Sequence, residues 1–108
     1  MGSKSNPQRK AGEARVIALP ADFRLTELAD VKAGLLQALE APSVEIDGAG
    51  VERVDTAALQ LLLAFRRAAS AQGLPASWRG VSETMRDAAG VLGLTQALEL
   101  PATMPARN

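Results

Sequence analysis

Between residues 43 and 81 the hydrophobic pattern changes period twice, and this limits the fold more than any other feature. Val44 and Ile46 alternate with Ser43, Glu45 and Asp47, the pattern of a strand with one covered face. A small-residue turn, Gly48-Ala49-Gly50, follows, and then Val51 and Val54. From Asp55 the spacing lengthens to three and four: Leu59, Leu62, Leu63, Arg66 and Ala69 mark the faces of a long helix, and Leu61 and Phe65 broaden its apolar side. Gly73 stands where a helix-ending glycine belongs, and Leu74-Pro75 enforce the stop. Residues 76–81, with Trp78 among them, read as another strand. Strand, long helix and strand in this order belong to an α/β fold.

The flanks extend the alternation. Residues 16–19 form a short apolar run ended by Pro20, and Phe23 and Leu25 alternate with Asp22, Arg24 and Thr26. A helix is expected to open near Thr26. Leu28, Val31, Leu35 and Leu39, with Leu36 beside them, form its buried stripe. Glu27, Asp30, Lys32, Gln37 and Glu40 face water, and Pro42 ends it. Ser82 is a good N-cap for a third helix with Met85, Ala88, Ala89 and Leu92 on its inner side. Gly93 ends or kinks it, and residues 94–98 are expected to add a last short helix. The expected architecture is a mainly parallel, four- to five-stranded sheet with about four helices packed on it. Residues 15–100 make the domain, between a polar arm at 1–14 and a frayed tail at 101–108.

A chain of 108 residues can bury a core without disulfides or metal. It has no histidine and no cysteine. That removes zinc sites of the common kinds, Ser-His-Asp and Cys-His nucleophile pairs, and thiol chemistry. The expectation is a protein that is not an enzyme, with no cofactor and no metal site. Twelve basic residues balance twelve acidic ones, against the basic excess that phosphate neutralisation requires, so no nucleic-acid partner is expected. No apolar run approaches the ~18 residues of a membrane span, and the first residues hold no apolar segment of a signal peptide. No membrane insertion and a cytoplasmic location are the resulting expectations.

The segment with chemical content runs from Asp47 to Leu59. A helix amino terminus presents unpaired N–H groups and partial positive charge. Asp55 can cap those groups, accepting from Ala57 or Ala58, and Thr56 stands in the first turn. On these grounds alone Asp55 is a cap and Thr56 a first-turn residue. The segment also resembles the signature of the STAS family, the anti-sigma-factor antagonists and sulfate-transporter domains. That signature is a strand ending in Asp, a small-residue turn, a valine, an apolar residue, and Asp-(Ser/Thr)-(Ser/x)-Gly-Leu opening a leucine-rich helix. Asp47, Val51, Val54, Asp55, Thr56 and Leu59 occupy matching positions. Leu19-Pro20-Ala21, Val81-Ser82 and Leu92-Gly93-Leu94 resemble the flanking halves, so the likeness covers about residues 15–100.

The resemblance implies a regulatory adaptor that signals by protein–protein contact. Asp55, Thr56, Ala57, Ala58 and Gln60 form its partner-binding surface, with Thr56 the phospho-acceptor candidate. In the antagonists a partner kinase phosphorylates the second Ser/Thr of the motif. Here that position is Ala57, and the family glycine is Ala58, so switching at that position is chemically impossible. The Asp55-Thr56 pair resembles the motif of the STAS subunit of a phospholipid-transport ABC complex. The implied partners are therefore an anti-sigma or switch kinase, a chemotaxis component, or a transporter ATPase.

Other readings are weaker. A response-regulator receiver needs a late lysine, and none follows Lys32. Gly48-Ala49-Gly50 leads into Val51-Glu52-Arg53, not Gly-Lys-Ser/Thr, so nothing supports a nucleotide site. Glu45, Asp47, Glu52 and Asp55 read as a solvated strand edge plus a cap rather than a Mg²⁺ site, and Trp78 as a packing residue.

Overall fold

The computed structural model describes residues 14–101. Apart from Ala14 and Pro101, the expected arm and tail lie outside them. In chain order the elements are β1 (Arg15–Ala18), β2 (Asp22–Phe23), a 3-10 turn (Leu25–Glu27), α1 (Leu28–Ala38), β3 (Val44–Gly48), β4 (Arg53–Val54), α2 (Thr56–Ala71), β5 (Ala76–Val81) and α3 (Glu83–Val91). The domain is α/β, and every strand pairing in it is parallel.

The strands do not form one sheet. β1, β3 and β5 make a three-stranded sheet in that order, and β2 pairs with β4 alone. Unequal connections cause the split. The last paired residues of the first ladder are Ala18 and Asp47, and the second ladder begins at Asp22 and Arg53. Three residues (19–21) separate the ladders on one chain segment and five (48–52) on the other, so a continuous register is impossible. The backbone bridges the gap locally: Leu19 N–H donates to Asp47 at 2.9 Å, and Glu52 and Arg53 both donate to the Ala21 carbonyl at 2.8 and 2.9 Å.

Three α-helices occur among the described residues. The expected fourth, at 94–98, is a set of turns. Leu98 N–H reaches the Leu94 carbonyl at 2.9 Å and Leu100 N–H the Thr95 carbonyl at 3.1 Å, but no ladder propagates. Gly93 (φ 72°) and Glu99 (φ 59°) lie in the left-handed region at its two ends, leaving too few residues for a stable nucleus. α1 starts at Leu28 rather than near Thr26, because neither Arg24 nor Glu27 supplies a capping side chain and a 3-10 turn precedes it.

The helices cover one face of the main sheet. Val44, Ile46 and Gly48 of β3 are buried on that side, where Phe23, Leu59, Leu62, Met85 and Leu98 complete the core. The opposite face carries Val16, Ala18, Ser77 and the ion pair Arg79–Glu45 at 3.5 Å. Among the described residues it is largely open, whereas the sequence pattern suggested a sheet covered by helices. A bulge in β5 opposite Ile46 and Asp47 brings Gly80 alongside the β3 turn. A Cβ on Gly48 would lie 2.9 Å from Met85 Sδ, and one on Gly80 3.0 Å from Ala49 Cβ. Glycine at 48 lets Met85 of α3 seat against the sheet end, and glycine at 80 lets β5 pass close to the Ala49 turn.

Two leucines expected inside lie outside. Leu36 is 55% exposed, because Val31, Leu35 and Ala38 set the inner line of α1. Leu92 is 42% exposed, beyond the end of α3. Trp78 is half-buried, and its indole N–H donates to the Leu98 carbonyl at 2.9 Å, a packing role.

Candidate functional site at the start of the long helix

The amino end of α2 follows directly from Asp55. Its backbone is extended (φ −120°, ψ 176°), and Oδ1 accepts from Ala58 N–H at 2.9 Å. Oδ2 accepts from the N–H of Leu25, thirty positions earlier, at 3.0 Å. One carboxylate thus starts α2 and pins the 3-10 turn beside it. An N-cap of this kind contributes about 0.5–2 kcal/mol.

Charge around the cap is balanced. The Arg24 guanidinium grips Asp22 through two parallel hydrogen bonds. Those bonds hold the Asp22 carboxyl below its usual value of 3.8, against the opposing effect of desolvation, with the positive charges of Arg24 and Arg53 adding to the depression. Arg24 is raised in turn by its hydrogen bond to Asp22, and Asp55 adds a weaker attraction. Asp22, Arg24, Arg53 and Asp55 therefore surround the helix start with alternating sign.

Thr56 and Gln60 are exposed and Ala57 is half-buried. Ala58 is different: it is 0% exposed, packed in the core, with its N–H occupied by Asp55. It offers a partner no surface. Val54, Thr56, Leu59, Ala88, Val91 and Leu92 line a shallow hollow of about 350 Å³ next to Asp55. Five large apolar side chains are exposed among the described residues. Three of them flank this site: Val91 at 85%, Leu92 at 42%, and Leu25 at 67%, whose backbone Asp55 holds. The sequence reading did not single out Val91 or Leu25 as surface groups. The available signal was Val91-Leu92 immediately before Gly93, apolar residues at a helix end where the covered stripe has run out.

The scattered carboxylates stay apart. Glu45 pairs with Arg79, Asp47 Oδ1 accepts from Ala49 N–H at 3.1 Å, and Asp55 is occupied as above. Among the described residues no three His, Cys, Asp or Glu side chains come together as metal ligands, and no helix is long and apolar enough to cross a membrane.

With this geometry in place, the comparison with family models is decisive: the model described as "Mlab, STAS domain" matches residues 7–101 of the 108. The chain belongs to the STAS family. No curated protein and no solved structure matches it. Membership supports a STAS-type regulatory or binding module in general terms. Asp55 and Thr56 sit at the junction of the two-stranded β2–β4 ladder and the long helix.

Proposed function

We propose that this STAS domain is a cytoplasmic regulatory adaptor, similar to anti-sigma-factor antagonists, that docks a partner protein over the start of α2. It binds rather than catalyses. The observation that carries this reading is that the exposed Val91 and Leu92 line one hollow with the exposed Thr56, while Asp55 holds the backbone of the exposed Leu25 beside it. Uncovered apolar groups grouped around a rigidly held polar centre are the composition of a protein-docking surface. The lack of histidine and cysteine supports a non-enzymatic role. Thr56 is the one hydroxyl in the Asp55–Ala58 motif and is the phospho-acceptor in this reading.

A second reading, an accessory subunit of a phospholipid-transport ABC complex, is favoured by Ala57. With no hydroxyl there, the antagonists' switch cannot operate at that position. Both readings use the same surface, and the identity of the partner separates them: a kinase or chemotaxis protein in the first, a transport ATPase in the second. The test is capture of the partner from the native host, followed by Thr56→Glu. A negative charge at the first turn interacts favourably with the helix dipole, by about 0.3–1 kcal/mol, so the melting temperature holds or rises slightly. In the complex the same charge must be desolvated, at a cost of several kcal/mol unless a cation meets it. Capture should therefore be lost while the fold is kept. Undiminished capture by Thr56→Glu places the partner elsewhere and ends the proposal.

A further inference from the structure

A different face of the molecule carries a pattern that is its own complement. Lys32, Leu36 and Glu40 lie four residues apart and are all exposed, with Leu36 at 55%. They continue as one ridge past the formal end of α1. Leu39 remains right-handed helical (φ −62°, ψ −15°), its N–H reaches the Leu35 carbonyl at 3.2 Å, and Glu40 N–H reaches the Gln37 carbonyl at 3.1 Å. Beside this ridge runs an apolar groove of about 130 Å³ between α1 and α2, floored by Leu35, Leu39, Leu61, Ala64, Phe65 and Ala68. Among the described residues neither Lys32 nor Glu40 takes part in an ion pair.

We infer that this face binds a second copy of the same chain, with the two α1 helices packed antiparallel about Leu36. Reversing the ridge exchanges its ends. Positive, apolar, negative then meets negative, apolar, positive, so Lys32 of each copy faces Glu40 of the other. A two-fold contact requires such self-complementarity, since one patch must serve both sides. A ridge of residues four apart is also the element that interdigitates with its own kind in the commonest helix packing, at about −50°. Each Leu36 then lies against the apolar groove of the other copy. The two ion pairs sit at the rim, where they determine register and partner choice more than strength. A contact confined to one short helix and its groove belongs among small, transient interfaces. Its dissociation constant is expected at about 0.1–1 mM.

This association does not involve the start of α2, so Thr56→Glu should leave it unchanged. Sedimentation equilibrium up to about 1 mM, the weak end of measurable association, should show the mass rising from 11.3 kDa towards the dimer. Lys32→Glu and Glu40→Lys should each stay monomeric, because each places like charges across the contact twice. Mixed in equal amounts, the two variants should associate with each other, since all four charges then pair. Leu36→Asp should remain monomeric alone and in every mixture, with thermal melts confirming that it folds. A wild-type chain that stays monomeric, single variants that still dimerise, or a mixture of the two charge variants that fails to associate overturns the inference.

Discussion

The start and the middle of α2 meet the rest of the molecule in opposite ways. At the start, one carboxylate holds the backbone, and the apolar groups around it, Leu25, Val91 and Leu92, are left in water. Two turns further on, Leu62, Leu63 and Phe65 are buried, and even Arg66 is only 8% exposed. The segment after α3 reaches this level of the helix: Arg66 Nη2 donates to Glu99 Oε1 at 2.6 Å, and Trp78 holds the Leu98 carbonyl from below. Arg66 Nη1 is buried with no hydrogen-bond partner among the described residues. The middle is therefore sealed even at the cost of an imperfectly paired guanidinium, while the start is rigid but uncovered. Under the proposed function, this fixed but uncovered apolar surface is where the partner docks.

The contrast breaks most visibly at Leu62, which is 0% exposed in the sealed middle. Leu62→Ala should cost about 2–5 kcal/mol, lowering the melting temperature by about 10 °C or more. A melt within two degrees of wild type would show that the middle does not anchor the domain. Next comes Asp55→Ala, which removes the cap and strands the Leu25 N–H together. A loss of about 1–2 kcal/mol by denaturant titration is expected, with Asp55→Asn in between. No loss would mean the start of α2 is held by something other than its carboxylate.

Glu99→Ala tests the seal itself. It leaves a nearly buried guanidinium without its carboxylate, but Glu99 is 69% exposed, so the effect is about 1 kcal/mol rather than that of a fully buried pair. Arg66→Met should cost less than Glu99→Ala, because it removes the buried charge along with its partner. The reverse order would show that Arg66 is stabilised by more than Glu99.

The smallest effect concerns acid. Asp22 has its folded pKa depressed below 3.8, so its contribution to stability is complete above that value. The contribution is lost as the pH falls through the lowered folded value. Stability measured against pH should show this slope in the wild type and lose it in Asp22→Asn. An identical acid limb in both would remove Asp22 from the account.

How much was readable in advance varied with the range of the interaction. The strand around Val44 and Ile46, the helix opening after Asp55, its end at Gly73 and the Ser82 cap all appeared at or close to their expected places, since each depends on residues within a turn or two. Ser82 Oγ accepts from Met85 N–H at 3.1 Å, a contact three residues long. By contrast, the bond from Leu25 N–H to Asp55 could not be read from spacing, because it joins segments brought together only by the β2–β4 pairing. The exposure of Leu36 and Leu92 was equally hidden. Periodicity identifies an apolar side of a helix but not how wide the neighbouring element is that covers it.

By itself, the sequence determined the α/β class, the alternation of the main strands with the three helices, the cap at α2, and the absence of histidine and cysteine chemistry. Periodicity, capping and composition act over a few residues, so they survive without the rest of the chain. Tertiary structure decided the rest. It divided the strands into two sheets, through three residues on one connection and five on the other. It buried Ala58, exposed Val91, brought Val91 and Leu92 into one hollow with Thr56, and tied the Leu25 backbone to Asp55. Those outcomes depend on distances between segments far apart in the chain, which packing sets and no local pattern encodes.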